Sequence, residues 1–441
     1  MKKSSYNIFL EQNESKLAFN SLTCALAEID DDFERLYHNI EECDYELLGE
    51  QDKKLYDDMK AGCYIIPDST DELKLIKYRN NRGKFAKEFL SFVIAPTLAC
   101  NFGCPYCYET QKPGFMKKEV QDKIIEIVTE NAKKNRNIDI TWYGGEPLLA
   151  KEIVYNMAER MQTICNEYNV PYSSGIITNG YLIKEEDIEL FKKHAINYVQ
   201  ITVDGTREIH NSRRFLKSSP DTDTFEIIFN NIKKLYLAKV SVSIRVNIDK
   251  TNIDDTKSLI DFVKNQGMSG ISIHFGHVSP YTDNNQHFKQ KCLSMAEYSH
   301  ESLLLQEYLH NNGFNASGFP YYPGIKGNYC GADSINTFVI DNEGYKYKCW
   351  NEVGNVKESV GNIMWDVDDY TDTMIDREIA YMTWSPFDNE NCKKCELLPI
   401  CMGGCPYTAI RVGKEKCERW KYSLTEVLKK TYLQKTEVMA D

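Results

Sequence analysis

Ten of the chain's 15 cysteines stand at spacings that leave them few uses. Cys100, Cys104 and Cys107 form C-x3-C-x2-C inside APTLACNFGCPYCYE. From Cys330 the chain reads C-x13-G-x4-C to Cys349, then C-x2-C-x5-C-x3-C at 392, 395, 401 and 405, with a last thiol at Cys417. Thiolates are soft ligands for zinc or iron–sulfur clusters, and a [4Fe–4S] cluster normally takes four of them. Three close ligands with no fourth nearby leave one iron open, the mark of a catalytic rather than a structural metal site. Zinc is disfavoured at the triplet, which lacks paired C-x2-C knuckles. The scattered Cys24, Cys43, Cys63, Cys165 and Cys292 read as small buried hydrophobes.

In a cytosolic chain, which keeps its thiols reduced, cysteines in such number suggest metal ligation or redox chemistry more than disulfides. The start, MKKSSYNIFLEQNESK, holds no apolar stretch fit for a signal peptide, so secretion is not expected. No apolar run approaches the roughly 18 residues of a membrane span, and no membrane partner is expected. A net charge of −12 argues against nucleic acid, whose binding needs a basic face. Residues 1–50 carry four Lys or Arg against twelve Asp or Glu, either a solvated acidic face or a docking surface for a basic partner.

Between about 92 and 310, short β-branched runs alternate with longer helical ones. Strands are predicted at 92–98, 138–143, 174–179, 197–203, 240–247 and 270–277. Helices are predicted at 116–134, 151–169, 184–194, 225–238, 253–266 and 292–312. Six strand–helix units imply a parallel sheet with right-handed crossovers, an α/β partial (β/α)6 TIM-like barrel. The strands end in TLAC, YGGEP, TNG, VDG, VNID and HVSP, at the end where parallel α/β folds bind ligands. Residues 1–88 read as a small winged-helix-like α+β domain, with RNNRGKF (79–85) as linker into a barrel at 89–312. Residues 313–420 are loop-rich, a cluster domain that needs metal staples. A C-terminal helix and tail follow at 421–441.

The triplet with Tyr106 before its third Cys, followed by GGEP at 144–147, resembles the radical S-adenosylmethionine (SAM) superfamily. The resemblance implies that the open iron holds the amino and carboxylate groups of SAM, with Gly144, Gly145 and Glu146 along the amino group. It further implies that Thr178, Asn179, Gln200 and Asp204 line the ribose and methionine, and that Arg213 of HNSRR (210–214) meets the carboxylate. The seven later cysteines resemble the SPASM domain, which holds two auxiliary [4Fe–4S] clusters. By that analogy one takes Cys392, Cys395, Cys401 and Cys417, and the other Cys330, Cys349 and Cys405, for three clusters in all. The stretch before Cys330, YYPGIKGNY, has no thiol. Either Cys292 reaches in, or a second iron is open and able to bind a substrate cysteine.

The first 88 residues resemble the leader-peptide recognition element of maturases of ribosomally made peptides; the other reading is a structural cap. The chain is thus expected to resemble thioether-forming maturases of the sactipeptide or ranthipeptide type. Its partners would be a leader-bearing precursor peptide and a reductant such as flavodoxin or ferredoxin. A carbon–carbon cross-linking maturase and an anaerobic sulfatase (formylglycine) maturase are the enzymatic alternatives. In the latter the resemblance implies an Asp base directly after the second SPASM Cys, where this chain has Trp350. A zinc-bound peptide-binding scaffold is the non-enzymatic one. His274 and His277 are expected to pack or line the barrel mouth, and the residues single out no general base.

Overall fold

A computed structural model describes residues 1–314, 322–413 and 416–440; Tyr321, at the head of the thiol-free stretch, and Asp441, last of the tail, lie outside them. The chain divides into two compact units. One comprises Met1–Phe85, Gly318–Asp333 and Thr383–Asp441, the other Ala86–Ser317 and Ser334–Met382.

In the first unit, β1 (Lys2–Lys3) pairs with β5 (Ile65–Ile66). The strands β2 (Asn7–Gln12), β3 (Ser15–Asn20) and β4 (Ala25–Ile29) make an antiparallel sheet in that order. The turn between β2 and β3 falls at Asn13, whose φ of +55° is one that Asn tolerates. Helices α1 (Asp31–His38), α2 (Glu50–Ala61) and α3 (Glu72–Lys84) complete the N-terminal α+β part. Ala18 and Ile29 pack one sheet face on Phe33, Leu36, Ile40 and Met59. Asp30 caps α1 by accepting from Phe33 N at 2.8 Å, and Asp31, Asp32 and Glu34 fill its first turn. Part of the local acidity is therefore helix chemistry, since anions are favoured at a helix N-terminus.

The second unit carries the barrel. Strands β6 (Phe89–Ile94), β7 (Asn137–Trp142), β8 (Tyr172–Thr178), β9 (Ile196–Thr202), β10 (Ser241–Ile248) and β11 (Ser272–His277) pair in chain order, every pair parallel. Between them run α4 (Lys118–Ala132), α5 (Lys151–Glu167), α6 (Glu185–Lys193), α7 (Arg207–Arg213), α8 (Thr224–Leu237) and α9 (Thr256–Asn265), with α10 (Met295–Asn311) after the last. Helix α7 was not foreseen. Beyond β6, β12 (Thr337–Ile340) adds in parallel, Val339 facing Val93, and β13 (Tyr345–Tyr347) and β14 (Gly361–Asn362) follow antiparallel. The sheet ends at β11 and β14 and does not close, as expected of a partial barrel. The stretch read as one cluster domain, 313–420, is shared between the units, because β12 extends the barrel sheet.

Ile138, Ile140 and Trp142 point from β7 into the main core, with Val120, Ile124 and Val128 of α4 and Val154, Met157 and Met161 of α5. The periods of 2 and 3.6 meet there, and each such side chain contributes about 1.5–3 kcal/mol on burial. Val93, Tyr143, Val339 and Tyr347 pack a second cluster.

Helix α11 (Asp372–Thr383) follows β14; α12 (Glu390–Lys393), α13 (Leu398–Cys401), α14 (Pro406–Val412) and α15 (Trp420–Ala440) belong to the first unit. Of the scattered cysteines only Cys165, inside α5, is fully buried. Cys24, Cys43, Cys63 and Cys292 are half-buried. Cys24 and Cys63 sit in turns with φ of +58° and +59°, where a core position is not available.

Candidate functional site

The loop after β6 is pinched at its base. Thr97 Oγ1 donates to Gly114 O at 2.6 Å and accepts from Ala99 N at 3.1 Å. Inside it Cys107 N donates to Cys104 O at 3.2 Å, and Phe102 N to Cys100 Sγ at 3.4 Å. The turn after β7 presses against this loop. Gly144 has φ +124°, and a Cβ there would run into Thr97 O; one at Gly145 would run into Ala99 O. Glycine is needed because two backbones touch.

These two turns open into a cavity of about 430 Å³ at the carboxyl ends of the strands. Of the predicted site residues, Cys100, Cys104, Cys107, Tyr106, Gly144, Gly145, Thr178, Asn179 and Gln200 line it. His277 lines it too, held by Leu293 O and Ser279 Oγ, while His274 bonds Gln200 Oε1 at 3.1 Å.

Glu146, Asp204 and Arg213 do not line it. The Glu146 carboxylate is fully buried and accepts from Thr178 Oγ1 at 2.7 Å, Asn179 N at 2.8 Å and Leu148 N at 2.9 Å. It ties the second strand end to the third, with both of its oxygens engaged inside the protein. Asp204 accepts from the Tyr106 hydroxyl and from Asn247 N. Arg213 pairs with Asp249 at 2.8 Å and Asp204 at 3.5 Å, donates to Asn247 O and lies over the Tyr106 ring. Arg213 as carboxylate anchor is thus corrected, its charge being spent inside the protein.

The next residue takes the cavity position. Arg214 lines it, donates Nη1 to the Tyr106 hydroxyl at 2.7 Å, and keeps a buried Nε without a hydrogen-bond partner. An orphaned guanidinium N–H beside Cys104 suits an anionic ligand. Burial pushes the Cys107 thiol up to about 12 and raises Cys100 and Cys104 as well. Buried thiolates at this spot need a cation to exist. Among the described residues no three His, Cys, Asp or Glu side chains converge as a single metal ion requires. An iron–sulfur cubane asks for one thiolate per iron, so three thiols around a shared cavity would hold three of its irons and leave the fourth for another ligand.

Sequence reasoning also missed Glu109, which lines the cavity and which burial pushes up to about 8. Tyr143, hydrogen-bonded to Tyr108 and tilted against Trp350 at 4.6 Å, forms the neighbouring wall. The YE after the triplet was the available signal for Glu109.

In the first unit Cys392, Cys395, Cys401 and Cys417 line one small cavity with Leu397, Leu398 and Trp420. Asn389 Oδ1 fixes Cys392 N, and burial pushes the Cys401 thiol up to about 11. Cys330, whose N–H donates to Asp333 Oδ1 at 2.9 Å, and Cys405 lie in the same unit. Cys349 lies in the other, leading the 3-10 turn Trp350–Glu352. Cys292 packs with Tyr106, Val278 and Phe288 beside Cys104. Its surroundings are those of the first triplet.

Residues 94–263 match the sequence profile of the Radical SAM superfamily. The chain is 23% identical over 337 residues to the cysteine-type anaerobic sulfatase-maturating enzyme of Clostridium perfringens, covering 72% of this chain and 88% of that one. It is 24% identical over 366 residues to the radical SAM cyclopropyl synthase TigE of Paramaledivibacter caminithermalis, covering 75% and 70%. Among solved structures, anSMEcpe with bound AdoMet and a peptide superposes with a TM-score of 0.61 at 21% identity, over 77% of this chain and 98% of that one. Streptococcus suis SuiB bound to its precursor peptide SuiA superposes with a TM-score of 0.54 at 16% identity, over 94% and 97%.

Proposed function

On the premise that this chain is a radical SAM enzyme, its domain spanning residues 94–263, we propose that it is a peptide maturase joining a cysteine sulfur to a carbon of another residue. The observation that carries the reading is the shared cavity of Cys100, Cys104, Cys107, Gly144, Gly145 and Arg214, with ample space beyond them. A bound cluster and SAM would supply a 5′-deoxyadenosyl radical able to take hydrogen from an unactivated carbon. The three thiols would hold that cluster, and the Gly144 and Gly145 backbone would receive the SAM amino group. Arg214 would hold the SAM carboxylate, with Tyr106 and Asp204 fixing its direction. Trp350, Tyr143 and Tyr108 would keep water away.

A peptide substrate is supported by relatives: SuiB is solved with a precursor peptide, and TigE is a cyclopropyl synthase. The three-stranded sheet ends at β2 and β4, edges to which a leader can add as a further strand. The four-thiol cavity in the first unit would hold one auxiliary cluster; a second, with one iron open, is what the SPASM resemblance implies for Cys330, Cys349 and Cys405. An open iron there would favour a thioether product, since it could bind a substrate cysteine thiolate. The similarity to a sulfatase-maturating enzyme keeps formylglycine formation as a second reading; Trp350 stands against it where the resemblance expects an Asp base. No helix among the described residues is long and apolar enough to cross a membrane. Oxygen-sensitive clusters and a flavodoxin or ferredoxin donor fit work in the cytoplasm.

The test is anaerobic incubation of the reconstituted chain with SAM, a reductant and a leader-bearing Cys peptide, followed by tandem mass spectrometry. The expected product is lighter by two hydrogens and retains its sulfur in a sulfur–carbon bond. A product that has lost sulfur would favour the formylglycine reading and end this one.

A further inference from the structure

The cavity holds a second arginine besides Arg214. Arg245 and Asn247 both point inward from β10 and line it. Two residues earlier on one strand means one layer deeper, about 6–7 Å below the strand end. Arg214 stands near Cys104 by the strand ends; Arg245 lies in the layer of its register neighbours Thr202 and His274.

Arg245 occupies a built seat. Its Nε donates to Asn247 Oδ1 at 2.8 Å. Its guanidinium lies over Gly276 of β11, the partner of Asn247, where an added Cβ would come within 2.5 Å of Nη2 and 2.8 Å of Cζ. A side chain on that residue would evict the arginine. Among the described residues no carboxylate forms an ion pair with Arg245. A guanidinium has five N–H donors, and a half-buried cation with most of them unspent is costly until an anion arrives.

We propose that Arg245 is the substrate anchor, binding a carboxylate of the peptide one layer below the strand ends. That carboxylate is either an Asp or Glu side chain near the reacting residues or the peptide's own C-terminus. The bidentate geometry of arginine with carboxylate fixes an orientation as well as supplying affinity. The inference rests on the maturase reading above and adds the chemistry of its substrate. Two cations at two depths then divide the work, Arg214 taking the SAM carboxylate and Arg245 the substrate's.

The experiment uses anaerobically reconstituted full chain saturated with SAM and four capped tripeptide probes, followed by calorimetric titration. The probes are acetyl-Ala-Asp-Ala-amide, acetyl-Ala-Asn-Ala-amide, acetyl-trialanine with a free carboxyl end, and acetyl-trialanine-amide. At least one carboxylate probe is expected to bind tenfold or more tighter than its amide counterpart. Binding of the Asp probe alone assigns a side-chain carboxylate, and binding of the free acid alone the C-terminus. Arg245→Gln and Gly276→Ala should each abolish the preference, the first by removing the cation and the second by displacing it. Equal binding of acid and amide probes, or no binding of any, overturns the proposal. So does an Arg245→Gln variant whose SAM affinity falls as much as its peptide affinity. Failure of the unmodified chain to bind iron or cleave SAM strikes the maturase reading instead.

Discussion

Arg214 Nη1 donates to the Tyr106 hydroxyl across 2.7 Å, and Tyr106 in turn donates to Asp204. The cation that faces the cavity is therefore aimed by a residue within the cysteine triplet loop. Arg214→Gln should raise the SAM dissociation constant about tenfold or more, the size of one lost charge-assisted hydrogen bond. Tyr106→Phe should give part of that loss while leaving iron content unchanged. Calorimetric titration with SAM, alongside iron analysis, checks both.

Arg213 predicts the opposite pattern. Removing it leaves Asp249 and Asp204 buried and facing each other without their cation. Arg213→Gln should destabilise by about 3–5 kcal/mol, as breaking buried pairs does, with a lower melting temperature as its main readout. SAM affinity measured well below the melt should stay within a few fold of the parent. A stable variant with lost SAM binding would reverse the roles of the two arginines.

Glu146→Gln puts an amide where a carboxylate accepts from Asn179 N, Thr178 Oγ1 and Leu148 N. At least one donor then meets a donor, at a cost of about 1–3 kcal/mol. The β7 and β8 ends should loosen together. Hydrogen exchange at Asn179 should rise, and SAM affinity should fall.

The two cysteine groups should separate cleanly by iron count. On the proposed complement of three four-iron clusters, about twelve irons are expected per chain. Cys395→Ala or Cys401→Ala should cost about four of them while reductive SAM cleavage persists. Cys104→Ala should end SAM cleavage altogether. Iron analysis with 5′-deoxyadenosine quantified by chromatography tests the division.

His274 gives a pH signature. Burial, with the Arg245 charge next, holds its imidazole down at about 4. A folded-state value below the free one penalises the protein only where the unfolded chain takes up the proton. Stability is thus full above about pH 6.5 and falls between there and pH 4 by at most about 3 kcal/mol. His274→Asn should remove that part of the loss, so the two melting curves converge as pH falls from 7 to 5.

The six barrel strands were legible because buried parallel strands demand β-branched runs and the helices between them a 3.6 period. The cysteine groups were legible because ligand spacing is covalent. Arg213 and Arg214 were not separable in that way. Helix α7 ends at Arg213, and Arg214 follows with φ −134° and ψ 66°, so one backbone step decides which side chain faces the cavity. Glu146 looked like a ligand because its use by Thr178 and Asn179 depends on how two strand ends meet. Arg245 and Gly276 become one feature only through the register of β10 on β11. The strand β12 was hidden by its brevity, four residues in a loop-rich stretch.

The pairing of β12 with β6 sets a timetable for the nascent chain. Val93 finds its neighbour Val339 only after about 250 further residues have been made, roughly 12–50 s at ordinary rates of translation. Throughout that interval one flank of β6 is bare backbone, a template for strands of other molecules. Such a long-range closure is slow and exposed to aggregation. Yield of intact protein should therefore depend on how quickly the ribosome delivers those four residues.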